Sequence, residues 1–351
     1  MDVPLERGPV AEPGRPARPL ADDLRRYYAV GVKVRTDSLT GVLVDVNGAL
    51  LADAGGRREH VRLQDRLQST DVDAVVRGVA RLVSELLASR PELDEPLGLG
   101  VEVSGQVDVR SGIVHRSHRM RWWEPVPLAE LLEEATGYRT LVEHDTKALV
   151  LAEQMFGSGQ GRRSFAVVTA GSGIGTGLVI NHNLWRGVSG TAGELGHLVM
   201  DPRGRPCSCG RKGCLETMAG SEGILQTIRE QNRSEDVSDI EGALRLVHRE
   251  DEGARRAFEE AGAVLGLGLS WLTNLLDLEL VIVHADPPLL ESDAYVPAAR
   301  RSFEMNSFHD LDERPALRFQ PRDDWLGARS AGSMVFRLLP DRFAETGEPW
   351  A

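Results

Sequence analysis

Apolar residues in the first half of the chain occur in two patterns, as runs of strand length and at the spacing of a helix. YYAVGVKV, from Tyr27, and LGLGVEVSG, from Leu97, are mainly apolar runs of strand length. DVDAVVRGVARLVSELLASR, from Asp71, instead has apolar residues at helical spacing and predicts an amphipathic helix. A strand, LTGVLVDV, is predicted to follow the first run, and Asn47-Gly48 predicts a tight turn into a hairpin.

Two further strand and helix patterns complete the first half. LAELLEEATG predicts a helix that Gly137 ends, and RTLVEHD predicts a strand running directly into the helix TKALVLAEQMFG. The order hairpin, helix, strand, helix, strand, helix is typical of an α/β lobe whose helices pack on a sheet.

A second unit begins at Ser164 with SFAVVTAGSGIGTGLVINHNLWRG. Two apolar runs flank a glycine-rich turn, and because a strand follows the turn, its glycines are not the strand-to-helix fingerprint of dinucleotide folds. Helical patterns dominate 220–280 and end in the strand LELVIVHA. We therefore expect a tail over 1–27, an N-terminal lobe over 28–150, a C-terminal lobe over 151–325, and a final helix over 326–340 packed back on the first lobe.

Composition narrows the class of protein. The 351 residues are 41% hydrophobic and 27% charged, as in soluble globular proteins. No stretch approaches the ~18 apolar residues of a membrane span, and the N-terminus lacks the apolar core of a signal peptide, so a cytoplasmic protein without a membrane partner is expected. A net charge of −12 makes the chain itself a poor nucleic-acid binder.

The three cysteines lie within eight positions, in CSCGRKGC. Three thiols cannot all pair, so a disulfide framework is excluded. Cys207, Cys209 and Cys214 need a fourth ligand for tetrahedral zinc, and His197 lies ten residues upstream of the first cysteine. The pattern predicts a closed, structural zinc site that fixes the flanking Glu194 and Glu216; the alternative is three free cysteines in a surface loop.

These motifs resemble the signature of the ROK family, which comprises bacterial sugar kinases and sugar-responsive repressors. GVSGTAGELGHLVM followed by CSCGRKGCLETMAGS fills the family pattern, and weaker agreement covers nearly all of 28–340. The resemblance implies a two-lobed actin-like ATPase (ribonuclease H-like) fold with a zinc-stabilised loop, and sugar and nucleotide in the cleft between the lobes.

The resemblance also implies a sugar site. Asp145 aligns with the general base of the family's kinases, although an Asp at a strand end is by itself more often a helix N-cap. Glu194, His197 and Glu216 align with residues that contact sugar hydroxyls, and His197 would bind zinc through one ring nitrogen and sugar through the other.

Two departures concern the choice of sugar. The family's Asn before the base is His144 here, and a second family Asn is Arg119. A basic Arg119 would suit an acidic or phosphorylated sugar, or would simply face solvent.

The residues that align with the nucleotide-binding half of the family's cleft depart further from the family pattern. The kinases carry D-x-G-G-T after the first strand, where the Asp organises Mg²⁺ and the glycines admit phosphate. A Gly-Gly pair beside the adenosine is replaced by His284 and Ala285. The glycines of the second turn are kept, but they equally serve tight hairpin packing. The residues at the D-x-G-G-T places are Lys33, Arg35, Thr36 and Asp37, and the kept glycines are Gly171, Gly173 and Gly175.

Three functions follow as hypotheses. The zinc loop and the aligned base, Asp145, match the family, whereas two elements of its nucleotide site are replaced. This combination favours the catalytically inactive, sugar-sensing core of a ROK transcriptional regulator. The alternative is an ATP-dependent, glucokinase-like kinase that transfers phosphate to a hexose or amino sugar, with ATP and Mg²⁺ as cofactors. The third is a silent zinc protein with a structural or partner-binding role.

The expected partners follow from the same resemblance. The ligand is a sugar or sugar derivative, and family members are commonly dimers or tetramers, so a homo-oligomer is expected. Gly14, Arg15 and Pro16 resemble the wing and linker of ROK regulators, with an unrelated flexible tail as the alternative. DNA binding is expected only through a domain absent from this chain.

Overall fold

The protein is described by a computed structural model over residues 27–51, 62–67, 69–231, 237–308, 315–322 and 324–337. These residues form two five-stranded sheets with helices packed on them. The resemblance of residues 14–16 to a wing and linker lies outside the described residues. No helix within the described ranges is long and apolar enough to cross a membrane.

The first sheet has the order β3-β2-β1-β4-β7. β1 pairs antiparallel with β2 and parallel with β4, and β4 continues parallel to β7. β1 and β4 are buried along their whole length, as expected for strands covered on both faces. The strands are β1 Tyr28–Val34, β2 Ser38–Asp45, β3 Arg62–Arg66, β4 Leu99–Val103 and β7 Thr140–His144, with a separate hairpin of β5 Gln106–Asp108 and β6 Ile113–Arg116.

Two helices cover this sheet at positions that the apolar spacing predicted. α1, Val72–Ala88, buries one face that includes Val75, Val79 and Leu82. α2, Leu128–Thr136, ends where Gly137 adopts a left-handed φ of 79°.

The second sheet repeats the strand order of the first, as β10-β9-β8-β11-β12. Its first strand, β8, again pairs antiparallel with the next and parallel with a later strand, β11. The described residues of this half include six α-helices, of which α9 packs along the long α7. The elements are β8 Phe165–Ala170, β9 Ile174–Ile180, β10 Asn183–Trp185, α4 Glu216–Ala219, α5 Ser221–Glu230, α6 Ile240–His248, α7 Glu252–Leu276, β11 Leu280–Ala285, α8 Pro287–Glu291, α9 Tyr295–Asn306 and β12 Ala316–Pro321.

A turn forms at Asn47-Gly48, as the sequence predicts. Gly48 adopts a φ of 70° and its N–H donates to the Asp45 carbonyl at 2.9 Å. The chain then returns antiparallel to β2, because the Asp45 N–H donates to the Ala49 carbonyl at 2.9 Å and the Leu51 N–H to the Leu43 carbonyl at 3.0 Å. β3, the next described strand, also pairs antiparallel with β2.

Two helices join the halves of the molecule. α3, Asp145–Phe156, follows β7 and packs against β8 and β9 of the second sheet. α10, Asp324–Arg337, returns to the first sheet and packs on β1, β2, β4 and α3. The approach of α10 to β1 is close, because a Cβ on Gly31 would lie 2.5 Å from the backbone nitrogen of Gly332.

We expect Gly31→Ala to lower the free energy of unfolding by about 1–3 kcal/mol, since the added methyl group must push α10 away from the sheet. Urea unfolding followed by circular dichroism measures the change. Gly242→Ala in α6 is the matched control, because only the side chains of Asp239, Arg245 and Val237 lie nearest to its added methyl. Equal midpoints for Gly31→Ala and wild type would contradict the close approach.

Candidate ligand and metal site

The cysteine loop and His197 form a compact cluster. The four ligand atoms of His197, Cys207, Cys209 and Cys214 all lie within 4.8 Å of one another. Cys209 Sγ is 3.7 Å from Cys214 Sγ, and Cys207 Sγ is 3.5 Å from His197 Nδ1. Tetrahedral zinc with bonds of about 2.3 Å to sulfur and 2.0 Å to nitrogen requires separations of about 3.8 and 3.5 Å. The residues therefore fit a tetrahedral metal ion.

Local backbone bonds shape this loop. Gly210 and Gly213 adopt left-handed φ values of 89° and 66°, which turn the chain around the cluster. The Cys207 N–H donates to the Arg211 carbonyl at 2.8 Å. Burial raises the pKa of the Cys207 thiol above its usual range, and a metal ion would instead hold it as thiolate.

Two carboxylates flank His197. Glu216 Oε1 lies 3.4 Å from His197 Nδ1 and accepts from the Cys207 thiol at 3.1 Å. Glu194 Oε2 lies 3.9 Å from Nε2, the other ring nitrogen. The ring thus faces the thiols with one nitrogen and Glu194 with the other, and both carboxylates can accept hydrogen bonds from hydroxyl groups.

Arg119 comes to the same place from the other lobe. Its Nη1 lies 3.4 Å from Ser172 Oγ in the glycine-rich turn. A Cβ on Gly173 would stand 2.7 Å from Arg119 Nη2 and 3.3 Å from Glu216 Oε2, so the guanidinium and this carboxylate converge on the turn. Arg119 is nevertheless exposed, so the structure gives it room both to face solvent and to meet an anion.

Asp145 is the first residue of α3, with His144 at the N-cap position. Its Oδ1 accepts from the Thr146 N–H at 2.7 Å and lies 3.2 Å from His144 Nδ1. Burial raises the pKa of Asp145, but the charges of His144, Arg322 and Lys33 outweigh it and leave that pKa below its ordinary value. The carboxylate is therefore ionised and can accept hydrogen bonds.

A cavity between the lobes adjoins Asp145. Lys33, Glu102, Thr169, Arg322 and Gly327 are among its other lining residues. Lys33 Nζ lies 3.5 Å from Glu102 Oε1, and both side chains are buried. Gly327 is necessary for this pair, because a Cβ there would stand 2.8 Å from Lys33 Nζ. Burial raises the pKa of Glu102 to about 7, although Lys33 opposes the rise.

The residues that the sequence analysis aligned with the kinase phosphate loop differ in how deeply they are buried. Lys33 lines the cavity, whereas Arg35, Thr36 and Asp37 make the short turn between β1 and β2. Arg35 Nε lies 3.6 Å from Asp37 Oδ1, and both side chains are largely exposed.

The glycine-rich turn packs closely on its surroundings. The Gly171 N–H donates to the Gly173 carbonyl at 3.1 Å, which closes the turn between β8 and β9. The Gly175 N–H donates to Thr169 Oγ1 at 3.2 Å, and a Cβ there would stand 2.5 Å from Thr146 Oγ1 on α3. These contacts give the glycines a packing role.

His284 and Ala285 at the end of β11 are both buried. His284 Nε2 lies 2.8 Å from Glu153 Oε1 on α3, where fewer than one-tenth of either side chain is exposed. Ala285 lies in the core of the second lobe with Leu289 and Tyr295. The two side chains therefore fill space between β11 and its covering helices.

Several charged residues at the cleft were missed by the sequence reasoning. Glu102 and Glu143 occupy neighbouring register positions on β4 and β7, and Lys33 neighbours Glu102 on β1. Arg186 forms an ion pair with the fully buried Glu143. A charge inside an otherwise apolar strand, as in LGVEV and TLVEH, is the signal that predicts a buried partner.

The paired sheets of identical order, joined by α3 and α10 around a polar cleft, define a two-lobed protein of the actin-like ATPase class. Solved structures agree. The ROK hexokinase from Thermus thermophilus matches with a TM-score of 0.74 and 24% identity, over 90% of this chain and 99% of that one. A ROK family transcriptional regulator homologous to the Escherichia coli MLC protein matches with a TM-score of 0.75 and 21% identity, over 90% and 78%.

Sequence comparison gives the family. The ROK family model matches residues 30–329, so the chain belongs to the ROK family. The xylose repressor of Bacillus spizizenii is 27% identical over 275 residues, 78% of this chain and 68% of the repressor. The glucokinase of Thermotoga maritima is 35% identical over 167 residues, 48% of this chain and 51% of the glucokinase. The expected family and fold are confirmed, and the relatives include both repressors and kinases.

We expect the pH dependence of stability to identify Glu102. Between about pH 4.3, the ordinary glutamate value, and pH 7, folded Glu102 keeps a proton that the unfolded chain releases, so its contribution to stability falls as pH rises. Glu102→Gln removes this fall. The difference in unfolding free energy between pH 5 and pH 8 should shrink by about 3 kcal/mol in urea titrations.

Glu85→Gln, an exposed change on α1, is the control and should leave that difference as in wild type. If Glu102→Gln and wild type show parallel pH profiles, the raised pKa of Glu102 is refuted.

Proposed function

We propose that this chain is the sugar-sensing core of a ROK transcriptional regulator and that it does not transfer phosphate. DNA contact would come from a domain outside the described residues, and the core would act as a homo-oligomer. The xylose repressor is a relative over most of the chain, which supports this branch of the family.

The observation that carries the proposal is the position of Lys33. Its ammonium group lies buried at 3.5 Å from Glu102, in the cavity that also contacts Asp145. A magnesium ion with a triphosphate needs carboxylate or water ligands at the cleft floor. A lysine side chain 3.5 Å from Glu102 occupies the space beside the carboxylates and would repel a second cation such as Mg²⁺.

The sugar half of the cleft supports ligand binding. Glu194, His197 and Glu216 present two carboxylates and a ring nitrogen to the same space. The ionised Asp145 adds an acceptor for a further hydroxyl group. These groups would bind vicinal hydroxyls of a sugar as hydrogen-bond acceptors, whereas Arg119 beside Glu216 would favour an acidic substituent.

A kinase is the second candidate, and the ionised Asp145 favours it. A carboxylate at this position is the group that a phosphotransferase needs as a base toward a sugar hydroxyl. The glucokinase of Thermotoga maritima is a relative over about half of this chain.

Calorimetric titration separates the two candidates. We expect no heat of binding with ATP and Mg²⁺, and saturable binding of one member of a panel containing D-xylose, D-glucose, N-acetyl-D-glucosamine and their 6-phosphates where these exist. Micromolar ATP affinity with turnover of a hexose would refute the regulator and establish the kinase. Absence of binding by every sugar at millimolar concentration would favour the silent zinc protein.

We further propose that His197, Cys207, Cys209 and Cys214 hold one structural zinc ion. The measured separations fit Cys3His coordination, which leaves no open position for water. The ion would fix the His197 ring and, through it, the two flanking carboxylates.

Cys209→Ser should abolish bound zinc, measured by mass spectrometry of the metal content, and lower the thermal midpoint, because the cysteine loop loses the crosslink that the metal supplies. Sugar binding should weaken at least tenfold, since His197 and Glu216 lose their fixed positions. Ser208→Ala, a change inside the same loop that removes no proposed ligand, is the control. A purified wild-type chain without zinc that still binds sugar would contradict the proposal.

A further inference from the structure

An irregular segment, residues 186–194, carries Glu194 to the cleft. It follows β10 and precedes the short turn that holds His197, and all of its residues lie outside the helices and strands. Most of its residues are exposed, and within it the Ala192 N–H donates to the Arg186 carbonyl at 3.1 Å. A segment with so few internal bonds depends on outside contacts for a fixed position.

Three side-chain contacts with the first lobe and α3 hold it. Gln106 on β5 donates to the Ser189 carbonyl at 3.0 Å. Lys147 on α3 donates to the Gly190 carbonyl, and Arg186 forms an ion pair with Glu143 on β7. All three partners lie before residue 150, so each contact joins the segment to the first lobe or to α3.

Glu143 stands at the centre of this arrangement. Its side chain is fully buried, and one carboxylate oxygen, Oε1, accepts the backbone N–H of His144 at 2.9 Å while the other, Oε2, meets Arg186. His144 immediately precedes Asp145. One carboxylate therefore contacts both the strand end that carries Asp145 and the segment that carries Glu194.

Lys147 reinforces the same junction. It lies two residues after Asp145 on α3, and only 5% of the residue is exposed. Burial lowers its pKa, whereas Glu143, Glu194 and Asp145 act on it in the opposite direction. The lysine is thus close enough to interact electrostatically with carboxylates on both sides of the cleft.

We propose that Glu143 is a positioning residue that, with Arg186 and Lys147, holds the Glu194 segment against the strand end and helix that carry Asp145. This inference rests on the proposed sugar site, and it assigns to Glu143 the fixed relation between the two groups that contact the sugar. Loss of the Glu143–Arg186 ion pair would release the segment and let Glu194 move away from Asp145.

Hydrogen exchange tests the contact without any ligand. In Glu143→Gln and in Arg186→Gln we expect exchange of the Ala192 amide, which donates to the Arg186 carbonyl, to accelerate at least tenfold, since the ion pair that holds Arg186 is lost. Arg162→Met is the matched control, because it breaks an exposed ion pair with Glu279 in the same lobe. Unchanged exchange in 186–194 for both folded variants would overturn the proposal.

Further variants keep the test decisive if a buried charge prevents folding. The double variant Glu143→Gln/Arg186→Gln leaves neither charge unpaired, and Gln106→Leu removes an anchor near the surface. Both should accelerate exchange in the segment, whereas Arg186→Lys should restore slow exchange because it keeps the positive charge. Wild-type exchange in the double variant and in Gln106→Leu would overturn the proposal.

Binding separates positioning from a general loss of structure. Affinity for whichever of D-xylose, D-glucose or N-acetyl-D-glucosamine binds wild type should fall about tenfold in Glu143→Gln, with unchanged zinc content and partial recovery in Arg186→Lys. Wild-type affinity in a folded Glu143→Gln would overturn the role in ligand positioning. If wild type binds no sugar, the proposed function fails, while the exchange measurement still decides whether Glu143 holds the segment.

Discussion

Buried charge has to be matched at the floor of the cleft, and this requirement organises the centre of the molecule. Lys33, Glu102 and Glu143 lie at neighbouring positions across β1, β4 and β7, and each is at most 6% exposed. An ionised group left unpaired at such depth costs several kcal/mol, so each group either has an opposite partner or, like Glu102 below about pH 7, keeps its proton. Lys33 meets Glu102 within the sheet, and Glu143 takes Arg186 from beyond β10.

Contacts between charged and polar groups also link the two lobes. Asp145 is kept ionised by His144, Arg322 and Lys33 despite its burial, and these residues come from three different parts of the chain. On the other side of α3, Glu153 meets the buried His284 of β11. The helix therefore carries a polar contact toward the second sheet and begins at the candidate ligand-binding carboxylate. Its packing explains how changes at the cleft would reach both lobes.

The cluster of His197 and the three cysteines bears on how the neighbouring loop keeps its shape. The loop from Cys207 to Cys214 has no sheet or long helix to hold it, and its turns rely on left-handed glycines. A bound ion would fix the loop and orient His197 between Glu194 and Glu216. One side of the cleft would thus be held by a metal and an ion pair, and the opposite side by the contact of Lys33 with Glu102.

The local elements and the chemistry of the motifs could be predicted from the amino-acid sequence. Apolar spacing located α1, α2, β8 and β11, and the clustered cysteines with His197 indicated a metal site that the distances fit. Short or edge elements such as β5, β6, β10 and β12 carried too weak a pattern to be predicted. The Asn47-Gly48 signal correctly predicted a turn after β2, and the next described strand, β3, pairs antiparallel with β2. The contacts of Lys33 with Glu102 and of Arg186 with Glu143 became visible only in the folded chain, because strand order brings together residues whose separation in sequence carries no pairing signal.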